Sequence, residues 1–330
     1  MIPIIDLHAD IPWDITHRRR GEIKGSTRKG SVLDTRHLAK LRSGGIRGFN
    51  AVIWVESEFK PDRALSRGLV ILDSILEDLK QSKNFELAGD SKDFRRVFEE
   101  RKKIPMFLGV EGGGLIEDEI TLLRTFYNLG VRAFGLVWNQ RNLLADGYGE
   151  VYTRNGGSGL SEFGIKVVEE CNRLGILVDG AHITPNGLSD ILEVSEKPIM
   201  VSHGSTTAHD GTLRPMTDEH LRQIGANGGI AGIFAINKED TIPTVESYVD
   251  HIEYAVKVAG IDHVGIGFDF VDFIASESLP SSGKIHPIKG LKNASNAQRV
   301  IKVLRQRGFK EQDIRKIASE NFLRVFDDAT

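Results

Sequence analysis

Six residues of metal-ligand type recur at one kind of place along this chain. His8 and Asp10 close the first strand in IIDLHAD, Glu111 ends the third in FLGVEGG, and His182 follows the fifth in ILVDGAH. His203 follows the sixth in PIMVSHG, and Asp269 follows the eighth in VGIGFDF. All six sit just past the C-terminal end of a short apolar run. Taken singly they say little, since a histidine beside a strand is usually a packed, hydrogen-bonded residue and an aspartate there often caps the next helix. Taken together they say more. Three carboxylates and three imidazoles buried together without metal would cost several kcal/mol per unpaired charge. A pair of divalent cations removes that cost. Imidazole nitrogen with carboxylate oxygen suits zinc, and one carboxylate bridging two ions about 3.5–4 Å apart is the usual two-metal hydrolase arrangement. The remaining histidines, His17, His37, His209, His220, His251, His263 and His286, lack the strand-end position, except that His209 falls in the loop after the sixth strand. Most of them read as surface residues, with His209 a weaker candidate for lining the site.

The elements that must position these groups are strands at Pro3–Leu7, Gly48–Trp54, Pro105–Val110, Ala133–Val137, Ile176–Val178, Pro198–Ser202, Gly229–Phe234 and Val264–Gly267. They are nearly continuous in hydrophobicity, as parallel strands covered on both faces must be. Helical patterns separate them, among them Arg63–Lys80, Glu117–Leu129, Ser161–Leu174, Asp218–Ala226 and Val245–Val258, where Val245, Val249, Ile252, Ala255 and Val256 form a helical stripe. Eight strands alternating with helices predict an α/β protein, a (β/α)8 TIM barrel forming a single domain over residues 1–330; a doubly wound open sheet is the competing topology. In a barrel the C-terminal strand ends converge on one face, bringing the six ligands into one cavity. Irregular stretches at about 139–159 and 270–293 are long enough to carry function or cover a site.

Composition excludes other classes. The 43 basic and 46 acidic residues nearly cancel, to a net charge of −3, so no basic face for nucleic acid or an anionic membrane surface is implied. The lone Cys171 forms no internal disulfide and falls in a helical run, reading as filler. The N-terminus enters a strand at once, without the pattern of a signal peptide, and no apolar run reaches the length of a membrane span. The expected setting is the cytoplasm.

These motifs resemble, in order and over nearly the whole chain, those of the membrane (renal) dipeptidases. His-Ala-Asp is similar to their His-x-Asp, and GVEGG to their glutamate motif. GLSEFGIKVVEECNRLGILVDGAH resembles the segment leading to their first distal histidine, and SHGS their Ser-His-Ser. VGIGFDF resembles the strand carrying their aspartate, and RKIASENFLRVFDD their C-terminal helix. The resemblance implies a binuclear zinc dipeptidase. His8 and Asp10 would bind one Zn2+ with Asp269 close to it, Glu111 would bridge, and His182 and His203 would bind the second. Arg214, in TLRPMTDE, matches an arginine that holds the substrate carboxylate, a task suited to a planar guanidinium. A homodimer and tolerance of a C-terminal D-residue are further expectations from the resemblance alone.

Three departures concern the substrate side. Trp138 stands where the best-known members carry a histidine that polarises substrate; it reads equally as a stacking surface or as packing under the loop. Pro215 replaces an asparagine, and the family's Asp-Phe-Asp-Gly becomes Asp269-Phe270-Val271-Asp272. Trp138 and Asn139 join Arg214 as the substrate-binding candidates. The implied reaction is dipeptide hydrolysis by a metal-bridged hydroxide, with Asp269 moving the proton to the leaving amine and Glu111 as the other catalytic carboxylate. The alternatives are another metal-dependent amidohydrolase, acting on a cyclic amide, a lactone or a deaminase substrate, and a non-hydrolytic tailoring or binding relative.

Overall fold

The computed structural model describes residues 1–23, 29–151, 157–209, 214–238, 242–274 and 285–330. Eight parallel strands carry the architecture: β1 (Ile4–Ala9), β2 (Ile46–Trp54), β3 (Ile104–Glu111), β4 (Val131–Gly135), β5 (Leu177–Asp179), β6 (Met200–Thr206), β7 (Ile230–Ile233) and β8 (Val264–Ile266). Each pairs with the next in chain order, so the order never reverses and the doubly wound alternative falls. All eight residues of β3 are buried, as expected of a strand with side chains inside and helices outside.

The helices start where the sequence supplies caps. Ser161, Thr184, Thr217 and Thr244 each accept a hydrogen bond from the backbone N–H three residues on. These caps fix the starts of Glu162–Leu174, Pro185–Val194, Asp218–Asn227 and Val245–Ala259. Among the described residues no helix is long and apolar enough to cross a membrane. The thiol of Cys171 is buried in the core, and burial pushes its pKa up, away from thiolate chemistry.

The two ends of the barrel differ. Near the strand starts, Leu7, Phe107, Leu177, Met200 and Ile230 pack with Phe322 and Phe326 of the C-terminal helix Asn321–Ala329. Phe107 stacks on Phe322 at 5.3 Å. This end is plugged with aromatic rings, leaving the opposite end for a site. The seam between β8 and β1 is closed by a side chain. Asp6 Oδ1 accepts from the backbone N–H of Phe268 at 2.9 Å and from that of His8 at 3.3 Å. Burial lifts the Asp6 pKa to about 7, against the pull of those two hydrogen bonds.

Several features differ from the sequence expectation. A three-residue strand, Phe85–Leu87, pairs with the start of β3, and Pro215–Met216 pairs with the end of β6. Ile236–Lys238 lies antiparallel to Ile285–Pro287. Helices Ile11–Arg20, Ser91–Glu100 and Gln298–Gln306 complete the outer layer. Parts of the two irregular stretches, residues 152–156 and 275–284, lie outside the described residues.

Candidate metal centre

The barrel brings all six sequence-predicted ligands to its open end, each buried. Two of them sit on irregularities of the sheet. Between Asp6 and Ala9, β1 uses three steps where β2 uses two, and between Val201 and Gly204, β6 does the same against β7. An extra residue in one strand bends it and re-aims a side chain, and His8 and His203 occupy these bulges. His203 therefore lies within its strand, not after it as the hydrophobic run suggested. The bulge on β6 needs room: a Cβ on Gly267 would fall 1.8 Å from the Ser202 carbonyl oxygen.

The other ligands stand at or just past the ends of their strands. Glu111 is the last residue of β3. His182 and Asp269 adopt left-handed backbone, with φ of 64° and 57°, as does Arg214 at 49°. Such conformations cost on the order of 1–3 kcal/mol each and cluster where geometry serves function. Asp10 stands at the N-cap position of Ile11–Arg20 yet makes no capping hydrogen bond. Capping therefore does not account for that aspartate.

Glu111 organises the centre. Its Oε1 lies 2.7 Å from His182 Nε2 and 3.5 Å from His203 Nε2, while its Oε2 is 3.9 Å from His8 Nε2. His8 Nε2 is in turn 3.6 Å from Asp10 Oδ1 and 3.9 Å from Asp269 Oδ1. Two ligand triads, His8–Glu111–His203 and His8–Asp10–Asp269, each gather their atoms within 4.8 Å.

Hydrogen bonds around the centre fix where the imidazole protons lie. His182 Nδ1 donates to Asn139 Oδ1 at 3.0 Å, which leaves Nε2 as the lone-pair nitrogen. Arg214 Nη1 donates to His203 Nε2 at 3.2 Å, so that nitrogen is also unprotonated and Nδ1 pairs with Ser202 Oγ at 2.9 Å. Burial, with the nearby His8 and Arg214 charges, holds both imidazoles well below the usual histidine range. Two lone pairs thus face each other across 3.0 Å, and one faces a carboxylate oxygen at 2.7 Å. Asp10 Oδ1 is buried without a hydrogen-bond partner. Those contacts are repulsive until a cation stands among them, and imidazole nitrogen with carboxylate oxygen is a donor set that fits a divalent metal.

The remaining charges respond to the same crowding. Burial alone would depress His8, but Glu111, Asp10 and Asp269 outweigh it and lift the imidazole to about 10. Burial lifts Asp269 to about 7; Asp10 and Glu111 add to the rise, while His8 and Arg214 oppose it.

On the substrate side, a small cavity lined by Tyr148, His182, Ile183, His203, Arg214 and Met216 opens beside the distal histidines. The guanidinium of Arg214 is buried against His203, with its Nε unpartnered. Asn139 turns its amide oxygen to His182, and Trp138 packs 5.3 Å from the Trp54 ring and 6.1 Å from the His182 ring, centroid to centroid. Asp272 is drawn away to Lys40 Nζ at 2.6 Å.

The other histidines correct the sequence reading. His37, His220 and His251 are buried rather than on the surface, with partners Asp14, Ser189 and Thr206. His220 and His251 sit on the inward faces of their helices. His209 pairs with Asp250 at 3.1 Å and does not line the centre. The side chain of His286 lies outside the described residues.

Two further residues went unread. Asp179 ends β5 and accepts from the Ser202 and Ala181 N–H groups, bracing both the bulge and the His182 loop. It satisfies the same strand-end rule as the ligands. Lys60, in the loop after β2, places Nζ 4.6 Å above the Trp138 ring, and no strand end marks it.

Fold and donor set together define a metal-dependent hydrolase barrel. The chain belongs to the membrane dipeptidase family, peptidase family M19, whose sequence profile matches residues 1–330. It is thereby a dipeptidase-family enzyme acting on peptide bonds. It is 29% identical to dipeptidase verJ of Clonostachys rogersoniana over 99% of this chain and 84% of that protein. The fold is shared with a metallo peptidase from Rhodobacter sphaeroides liganded with a phosphinate mimic of the dipeptide L-Ala-D-Ala. That match has a TM-score of 0.84 and 22% identity, over 100% of this chain and 99% of that one. The probable dipeptidase PvdM from Pseudomonas aeruginosa is similar at a TM-score of 0.79 and 21% identity, over 99% and 95% of the two chains.

Proposed function

We propose that this protein is a binuclear zinc dipeptidase, with His8, Asp10 and Asp269 around one Zn2+, His182 and His203 around the other, and Glu111 between them. The observation that carries the reading is the division of Glu111: one carboxylate oxygen faces His182 and His203, the other faces His8 with its two aspartates. When bound, such a metal pair polarises a carbonyl and brings the pKa of a water towards neutrality.

The chain's own residues do the rest. Asp269, whose carboxylate oxygens lie within 3.9 Å of His8 Nε2 and His203 Nε2, is the group to take a proton from water and pass it to the leaving amine. Asn139 holds His182 in the tautomer that presents Nε2 to the centre. Arg214, with an unpartnered Nε beside the distal histidines, is the group to grip the dipeptide's C-terminal carboxylate and so exclude longer chains. The phosphinate mimic of L-Ala-D-Ala bound by the Rhodobacter sphaeroides relative supports including C-terminal D-residues among the substrates.

A panel of LL- and LD-dipeptides offered to the zinc-loaded protein tests the reading, alongside metal analysis. Turnover with about two metal equivalents per chain is expected, and Arg214→Ala should raise KM about tenfold or more while leaving N-terminal side-chain preference unchanged. Two bound zinc ions with no hydrolysis of any dipeptide would remove the proposal.

A further inference from the structure

A cleft of about 720 Å3 opens beside the metal centre, at the C-terminal ends of β2 and β3. It is lined by Gly112, the residue after Glu111, by Trp138, Leu115 and Pro61, and by Gln140 and Asn142. Lys60 lines it beside Trp138. Its ammonium is buried, makes no hydrogen bond, and is held over the Trp138 face. Burial brings this amine down to about 8, with Glu111 and Glu56 pulling the other way. A buried cation without a hydrogen-bonding partner is costly unless something else completes it.

The other charges lining the cleft do not complete it. Asp62 and Glu117 are exposed, and Arg141 is committed to Asp146 at 2.7 Å. In a ring of eight strands β2 and β6 lie opposite each other, so the loops that carry Lys60 and Arg214 leave opposite sides of the barrel, and both cations feel the Glu111 charge. Two cations on opposite sides of a hydrolytic centre suit a substrate with an anion at each end.

We propose that this cleft receives the side chain of the substrate's N-terminal residue, and that Lys60 selects a carboxylate at the end of that side chain. The inference rests on the dipeptidase reading, in which Arg214 takes the C-terminal carboxylate. Trp138 and Leu115 pack against the methylenes of an incoming glutamyl side chain, and the ammonium gains the charged partner that the chain does not give it. A lysyl or arginyl side chain would meet a like charge there and be rejected.

The test uses two phosphinate dipeptide mimics that differ only in carrying a glutamate or a glutamine side chain at the N-terminal position. Their dissociation constants are measured by calorimetry on the zinc-loaded protein and its variants. The wild type should bind the glutamate mimic about tenfold or more tightly than the glutamine mimic. Lys60→Met and Lys60→Gln should bring that ratio to about one with little change for the glutamine mimic, and Lys60→Arg should preserve it. A wild-type ratio near one, or an undiminished ratio in both neutral variants, overturns the proposal. Hydrolysis of neutral dipeptides by the wild type is followed separately, so failure of the subsite and failure of the dipeptidase reading give different results.

Discussion

Replacing Glu111 by glutamine should change the protein's stability in opposite directions with and without metal. In the metal-free protein the Glu111 carboxylate points an oxygen at an unprotonated imidazole nitrogen 2.7 Å away, inside a pocket that also holds Asp10 and Asp269. An amide of the same shape removes one of three crowded carboxylates and turns an N–H towards that nitrogen. Exchanging a buried unsatisfied contact for a hydrogen bond is worth about 1–3 kcal/mol. Unfolding entropy of about 2.1 cal/mol/K per residue, scaled to 330 residues, makes each kcal/mol about 1.4 °C in Tm, so Glu111→Gln should melt about 1.5–4 °C above wild type in chelator. With zinc at a thousand times the dissociation constant of each site, wild type should gain about 4 kcal/mol per ion, about 8 kcal/mol or about 12 °C for the pair. The variant, lacking the ligand that serves both ions, should gain much less. Calorimetric melts with chelator and with zinc, together with metal analysis, read both effects. A variant that melts below wild type in chelator, or that still holds two zinc ions at wild-type affinity, refutes the view of Glu111 as a carboxylate shared between two cations.

Two more outcomes follow from the same geometry. Asn139→Ala frees the His182 ring from its tautomer and should weaken metal binding about 10–100-fold, which competition against a chromogenic chelator measures; unchanged affinity would mean the hydrogen bond plays no orienting part. Glu56 accepts from His17 and Arg67, and although burial alone would raise its pKa, these bonds bring it down to about 2 from 4.5. Its stabilisation is therefore complete above about pH 4.5 and is lost as pH falls towards 2. Glu56→Gln should cost about 3 kcal/mol at neutral pH and flatten the acid limb of the stability curve; an unchanged limb in urea melts would count against it.

The alternation of strands and helices was legible because each βα unit buries its strand on both faces and writes that burial as a continuous apolar run. Phe85–Leu87 escaped because three residues are too short to form such a run, and Ile11–Arg20 because its last turn is three consecutive arginines with no apolar stripe. The six ligand types were legible because a barrel sends every strand end to one face. The bulges under His8 and His203 were not, since an extra residue in a ladder is a relation between two strands that neither one encodes alone. Lys60 escaped for a related reason. Its setting depends on Trp138, which lies far along the chain.

The carboxylate of Asp6 reaches across the last gap in the ring to the backbone of Phe268. It lies two residues before His8, and Phe268 immediately precedes Asp269, so the clasp grips the molecule where its earliest and latest donor groups meet. Assembly of the pocket must therefore wait until the last strand has been made and has docked beside the first. A chain ending before β8 would hold five of the six donors yet lack the wall that brings them together, which makes metal uptake a report on the docking of that last strand.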